Sequence, residues 1–294
     1  VTQRLQRVTF WLILAAALTP LHFALTPYDY KIGGVIAHFR ILAGTHMTPW
    51  SQRVLLPYAL DVFASDAWSV IYGMAFLSVV TMVAALMATF TWMRANGISA
   101  RRAFIGVGVV LYLLPAWYMS NNGIAYNQLE IVFIVAALFA ARRGRHGVIA
   151  ALIVLGTFNR ETTGLYIVAA CALATRNGKL TLAWGALFVG AYLLVRTLFP
   201  GAGSWQYGIG QWLDQIKPEQ FPTVLMYHAL FVPLWIGTAV RVKHLPSGIK
   251  RITWLLPLNL VLFFTFSMWV EVRLLMPAVL LVALPALVAP TRRH

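Results

Sequence analysis

A chain of 294 residues that is 60% hydrophobic and 11% charged, with a mean hydropathy of +0.76, excludes an ordinary soluble domain. Its net charge of +15 does not argue for nucleic-acid binding, because the basic residues stand singly and in pairs between apolar runs, as membrane topology alone requires. Cys171 is the sole cysteine, which excludes an internal disulfide and a cysteine metal cluster and leaves it a small packing residue.

Apolar runs follow one another from Val8 almost to the last residue, and crossing ~30 Å of hydrocarbon takes roughly 20 residues of helix. They predict an all-α, polytopic transmembrane bundle forming a single domain over 1–294. About ten helices are expected, at roughly 8–26, 66–92, 103–119, 125–141, 147–158, 163–175, 180–198, 223–240, 252–269 and 273–289. Most Lys and Arg then fall on one face, leaving Lys31, Arg40, Arg53, Arg160, Arg196, Lys217 and Arg273 on the other. The positive-inside rule puts both termini in the cytoplasm. All eight carboxylates fall on or near the outer face, so chemistry is expected there. The first helix is expected to be retained, since residues 19–27 carry no small-residue cleavage pattern.

After that helix comes a long outer loop, 27–65, beginning Tyr28-Asp29-Tyr30-Lys31 and containing His38, Arg40, His46 and Arg53. Loops of this length in compact proteins tend to be functional. Ile32, Val35, Ile36, Phe39 and Leu42 recur at helical spacing, which predicts a surface-lying helix over 30–43 with Lys31 and His38 on its polar side. Asp29 stands at its start, as an N-cap, as a group at the mouth of the bundle, or as both. Asp61, Asp66, Asp214 and Glu219 read as solvated loop or cap residues.

Glu130 falls in the first turns of the fourth helix, and Asn127, three residues earlier, shares its face. Capping and substrate contact are both open to it. The most unusual stretch is Phe158-Asn159-Arg160-Glu161-Thr162-Thr163-Gly164, a polar turn between two apolar segments too short to span. One long helix through it would send the later basic loops outside, so a short hairpin is expected, with its turn buried in protein or lining a watery cavity. Charged groups at such depth cost roughly 2.5 to 3.5 kcal/mol each on insertion scales, which favours a functional role over simple bundle locking.

The outer loop 199–222 carries Trp205, Tyr207, Ile209, Trp212, Leu213 and Ile216, a pattern for a second interfacial helix with belt aromatics or a sugar platform. Late in the chain, Glu271 and Arg273 flank Val272 in a brief outer turn. Arg273 suits a phosphate, of a substrate or of a lipid headgroup. Metal-ligand spacing, a strained serine motif with a partner histidine, and a glycine-rich phosphate loop are all missing.

The acidic residue just after helix 1, the surface helix in the loop it opens, Phe158-Asn159-Arg160-Glu161-Thr162 in a mid-chain turn and Glu271-Val272-Arg273 near the end resemble small bacterial GT-C-type glycosyltransferases. The resemblance implies an integral enzyme of the bacterial inner membrane, taking its sugar from a polyprenyl-phosphate donor and acting on the outward face. It implies Asp29 as general base and Arg160, Arg273 or Arg53 as the donor-phosphate ligand. Glu161 is a second catalytic candidate, and Glu130, Asn159, His38 and Glu271 are candidate substrate contacts. Only one acid stands at Tyr28-Asp29-Tyr30, so that loop does not support a divalent cation. No extra outer domain follows the last helix as in larger members of that family, so a lipid or small glycan acceptor, or a partner protein, is expected.

The chemistry is coherent, because transfer from a lipid phosphate needs a carboxylate for the acceptor proton and cations for the departing phosphate. Two other readings stay open. A transporter or flippase would use the broken hairpin as a midplane site with Glu161 coupling to protons, although repeated halves are not evident. In a noncatalytic assembly subunit, the buried charges would be structural only.

Overall fold

The computed structural model describes residues 9–19, 28–46, 53–64, 66–119, 126–201, 217, 221–266 and 275–289. Among them every regular element is helical. In chain order these are α1 (Thr9–Thr19), α2 (Tyr28–Leu42), α3 (Leu55–Asp61), α4 (Ala67–Ala95), α5 (Ala100–Met119), α6 (Tyr126–Arg142) and α7 (His146–Asn159). Then follow α8 (Glu161–Thr175), α9 (Gly178–Leu198), α10 (Phe221–Arg241), α11 (Ser247–Arg251), α12 (Leu255–Phe266) and α13 (Met276–Val288). The helices α3 and α11 were not expected from the sequence.

Local chemistry sets the boundaries. Asp66 caps α4: its Oδ1 accepts from the backbone N–H groups of Trp68 at 2.8 Å and Ser69 at 2.9 Å, while the Ser69 hydroxyl accepts from the Asp66 N–H at 3.0 Å. That reciprocal box satisfies orphan donors at the start of a 29-residue helix about 43 Å long. At its other end Gly97, with φ +81°, makes the turn into α5. Arg176 closes α8 in the left-handed region at φ 54°, and Asn177 then caps α9 by accepting from Leu180 N–H at 3.2 Å.

Two helices, α4 and α9, are long and apolar enough to cross a membrane. Only 17% of the apolar window of α9 is buried, and Leu182, Val189, Leu193 and Leu198 lie exposed along it. On α4, Trp68, Tyr72 and Phe76 do the same. Exposed apolar surface on this scale marks a face for lipid or for a partner protein.

The core is organised around α13, whose residues from Met276 to Ala286 are all buried. Pro285 has no N–H to give the carbonyl four residues earlier, that of Leu281. The Trp92 indole N–H of α4 donates to that carbonyl at 3.1 Å, closing the account and tying α4 to the centre. A π-helical stretch, Val279–Ala283, lies at the same level. Trp92 also meets Phe139 of α6 at 6.2 Å, so the late turns of α4 and α6 lie together and the two helices run parallel.

The stretch after residue 146 is a hairpin, as expected. The helices α7 and α8 lie along each other, α6 packs on both, and α9 covers the far side. Their 14 and 15 residues give about 21 and 22 Å, each short of a ~30 Å hydrocarbon core. Close approach depends on two glycines. A Cβ on Gly156 would stand 3.0 Å from Ile167 Cδ1 and from Thr163 Cγ2, and one on Gly164 would strike Thr157 Oγ1 and lie 2.9 Å from a Phe188 ring carbon.

The helix expected over 30–43 is α2, but its inward face differs from the expected one. Val35, His38 and Ile41 are buried, whereas Ile36 and Phe39 are exposed. His38, at 3% exposure, therefore belongs to the inner side rather than to a solvated polar side. The reason is tertiary: α2 packs on α3 and α4, where Val35 joins Leu60, Ala64 and Val70 in a small apolar cluster.

Candidate functional site: a buried arginine and glutamate quartet

At Arg160 the backbone is extended, with φ −167° and ψ 137°, so one residue alone separates α7 from α8. This break aims the Arg160 side chain sideways into α6 instead of along a helix. There Arg160 donates to Asn127 Oδ1 at 2.6 Å and stands 3.6 Å from Glu130 Oε2. Asn127 and Glu130 present one face because three residues separate them on α6. Thr162, in the first turn of α8, donates its hydroxyl to Glu130 Oε1 at 3.5 Å.

Glu161 begins α8, and Arg53, just ahead of α3, pairs with it at 3.4 Å. The contact arises because α3 packs on α7. Each carboxylate lies within electrostatic reach of both guanidiniums, so the four side chains form one network. Groups of opposite sign offset the desolvation that any one would suffer alone.

The two halves differ in access. The Glu161 side chain is 24% exposed and that of Glu130 1%. Glu161 Oε2 and Arg160 Nε are both buried and have no hydrogen-bond partner. The quartet therefore keeps one acceptor and one donor uncommitted beside the N-terminus of α8, where the helix dipole favours negative charge. Glu130, sealed beneath Arg160, positions that arginine.

The structure thus brings together Arg53, Glu130, Arg160 and Glu161 from the sequence-predicted set. Asn159 is fully buried next to them and donates to Thr163 Oγ1 at 3.3 Å, clipping the hairpin. His38 lies apart, in the α2 to α4 cluster, with Nε2 unpartnered and the charge of Asp61 nearby. Asp29 falls in the first turn of α2, inside the helix rather than ahead of it. Its side chain, like Lys31, Glu271, Arg273, Asp214, Glu219 and the aromatics of 202–216, lies outside the described residues. Asp61 is exposed and Asp66 is a cap, as expected.

A deeper polar pair escaped sequence reasoning. Asn259 of α12 donates to the Tyr166 hydroxyl of α8, five residues beyond Glu161, in the buried interior. The available signal was a lone amide within the apolar run Leu255–Phe266. Among the described residues no three His, Cys, Asp or Glu side chains converge as metal ligands.

The chain matches no known family, no curated protein and no solved structure.

Proposed function

We propose that the chain is a polytopic inner-membrane glycosyltransferase that moves a sugar from a polyprenyl-phosphate donor to a lipid or glycan acceptor on the outward face. The observation that carries this reading is Glu161, the partly exposed carboxylate of the quartet, with a buried and unpartnered oxygen beside two guanidiniums. Support for the setting comes from the exposed apolar flanks of α4 and α9. In this reading about ten helices span the membrane, with both termini and the basic loops in the cytoplasm.

Transfer needs a base for the acceptor proton and cations for the leaving group. The acceptor hydroxyl oxygen bonds to the anomeric carbon, and a carboxylate takes its proton. The bond from that carbon to the phosphate oxygen breaks, and the lipid phosphate departs with the electron pair. Arg53 and Arg160 then meet the phosphate charge, helped by the α8 N-terminus. When the phosphate engages Arg53, Glu161 loses its counter-ion and becomes a stronger base. Donor binding and base activation are thereby coupled. Asp29, which the resemblance implies as base, is the competing carboxylate. Arg273 and Glu271 remain candidate donor contacts.

The test is sugar release from radiolabelled polyprenyl-phosphate sugars by purified protein in lipid nanodiscs, with a membrane acceptor pool. Turnover abolished in Glu161→Gln and retained in Asp29→Asn assigns the base to Glu161, and the reverse assigns it to Asp29. Absence of turnover with every donor, from folded protein, overturns the enzyme reading.

One observation favours a second reading, transport or flipping of an anionic or lipid-linked substrate. The chain breaks at Arg160 between two apolar helices, each too short to span, as in the discontinuous helices that build midplane sites. Substrate flux in proteoliposomes, lost in Glu161→Gln, would support it.

A further inference from the structure

At the far end of the bundle from the quartet, basic residues gather without acids among the described residues. Arg142, the last residue of α6, stacks over Trp92 with its guanidinium 4.5 Å from the ring centroid. It also donates to Asn96 Oδ1 at 2.6 Å and to Ala95 carbonyl at 3.4 Å. These contacts hold the charge in place without neutralising it. On the other side α11 presses in so tightly that a Cβ on Gly248 would strike Asn96 Oδ1 and stand 2.5 Å from Arg142 Nη2. Three residues on, Arg251 adds a second guanidinium whose charge bears on Arg142. No carboxylate pairs with either arginine among the described residues.

A fixed guanidinium at Arg142 and an exposed one at Arg251, three residues beyond the Gly248 contact on the same short helix, repel, and an anion between them removes the repulsion. Planar guanidiniums favour phosphate oxygens. What lies beyond Arg251 chooses the kind of phosphate. Trp254 is 70% exposed, and Pro257 and Val261 follow it on the exposed side of α12 at helical spacing. An apolar stripe leading away from a cationic pair, with a tryptophan at the boundary, fits an acyl chain below a headgroup.

We propose that Arg142 and Arg251 form a site for the phosphate of an anionic lipid headgroup, whose acyl chain lies along Trp254 and Val261. This requires only that the chain sits in a membrane and is independent of the transfer chemistry.

Native mass spectrometry of the delipidated protein titrated with phosphatidylglycerol or phosphatidylcholine tests it. Phosphatidylglycerol is expected to stay bound at voltages that strip phosphatidylcholine, because choline brings a third cation to the pair. Arg251→Gln, at an exposed position, should weaken phosphatidylglycerol binding about fivefold or more with an unchanged Tm. Brominated phosphatidylglycerol should quench the wild type more than Trp254→Phe. Equal retention of the two lipids, full binding by Arg251→Gln, or displacement by millimolar inorganic phosphate would each overturn the proposal.

Discussion

Arg160 and Asn127, 33 residues apart in the chain, are joined by a 2.6 Å hydrogen bond that fixes the hairpin turn against α6. With Glu130 it forms a three-residue clamp in the buried half of the quartet. A buried pair broken from one side leaves a charge uncompensated, so Glu130→Ala should destabilise by about 3–5 kcal/mol. Adding Arg160→Met to it should recover part of the loss. Thermal unfolding of the single and double variants in one detergent checks this, and strict additivity would deny the coupling.

At the accessible half, Arg53→Ala should lower sugar transfer about a hundredfold with a smaller effect on folding, since its task under the proposed function is to meet the leaving phosphate. Arg53→Lys should restore little, because a single ammonium cannot hold a phosphate in the same two-point geometry. Turnover and Tm measured on the same preparations separate chemistry from stability.

The bond from Trp92 to the Leu281 carbonyl predicts a stability cost without any link to catalysis. Trp92→Phe keeps an aromatic ring but leaves the carbonyl unsatisfied, and should cost about 1–3 kcal/mol. Pro285→Ala in that background should recover stability by supplying the missing backbone donor. Denaturation midpoints of the two variants check it.

Gly164 is the tightest point of the hairpin. Gly164→Ala drives a methyl into Thr157 Oγ1 and the Phe188 ring and should destabilise by about 1–3 kcal/mol. Thr157→Ala should relieve part of it. A neutral Gly164→Ala would mean that α7 and α8 are less closely packed than described.

His38 makes the stability of the α2 region pH-dependent. Burial lowers its pKa from the ordinary 6.5, against a smaller opposing pull from Asp61. Below 6.5 the unfolded imidazole takes a proton that the folded one refuses, so stability falls as pH drops from that value through the lowered one. Protection of the α2 amides, measured relative to their intrinsic exchange rates, should fall over that window in wild type and not in His38→Gln.

The polar turn at 158–164 was legible in the sequence because charge inside an apolar run is costly and conspicuous, and so was the shared face of Asn127 and Glu130, set by helical spacing. The pairing of Arg53 with Glu161 was not legible, since 108 residues separate them and only the packing of α3 on α7 joins them. Nor was the partner of Asn259, a lone amide whose meaning depends on what faces it. The inward position of His38 was misread for a related reason. Spacing identifies a helix and its faces, but an environment apolar on both sides does not say which face turns inward.

By itself the sequence determined the helical class, the boundaries of α4 to α9 to within a few residues, and the short hairpin, because these follow from local hydrogen bonding and the cost of burying polar groups. Only the tertiary structure decided which carboxylate is sealed and which is partly exposed, and which arginine meets which acid. Those outcomes depend on the approach of distant helices, where the desolvation of each charge is set by its neighbours rather than by its place in the chain.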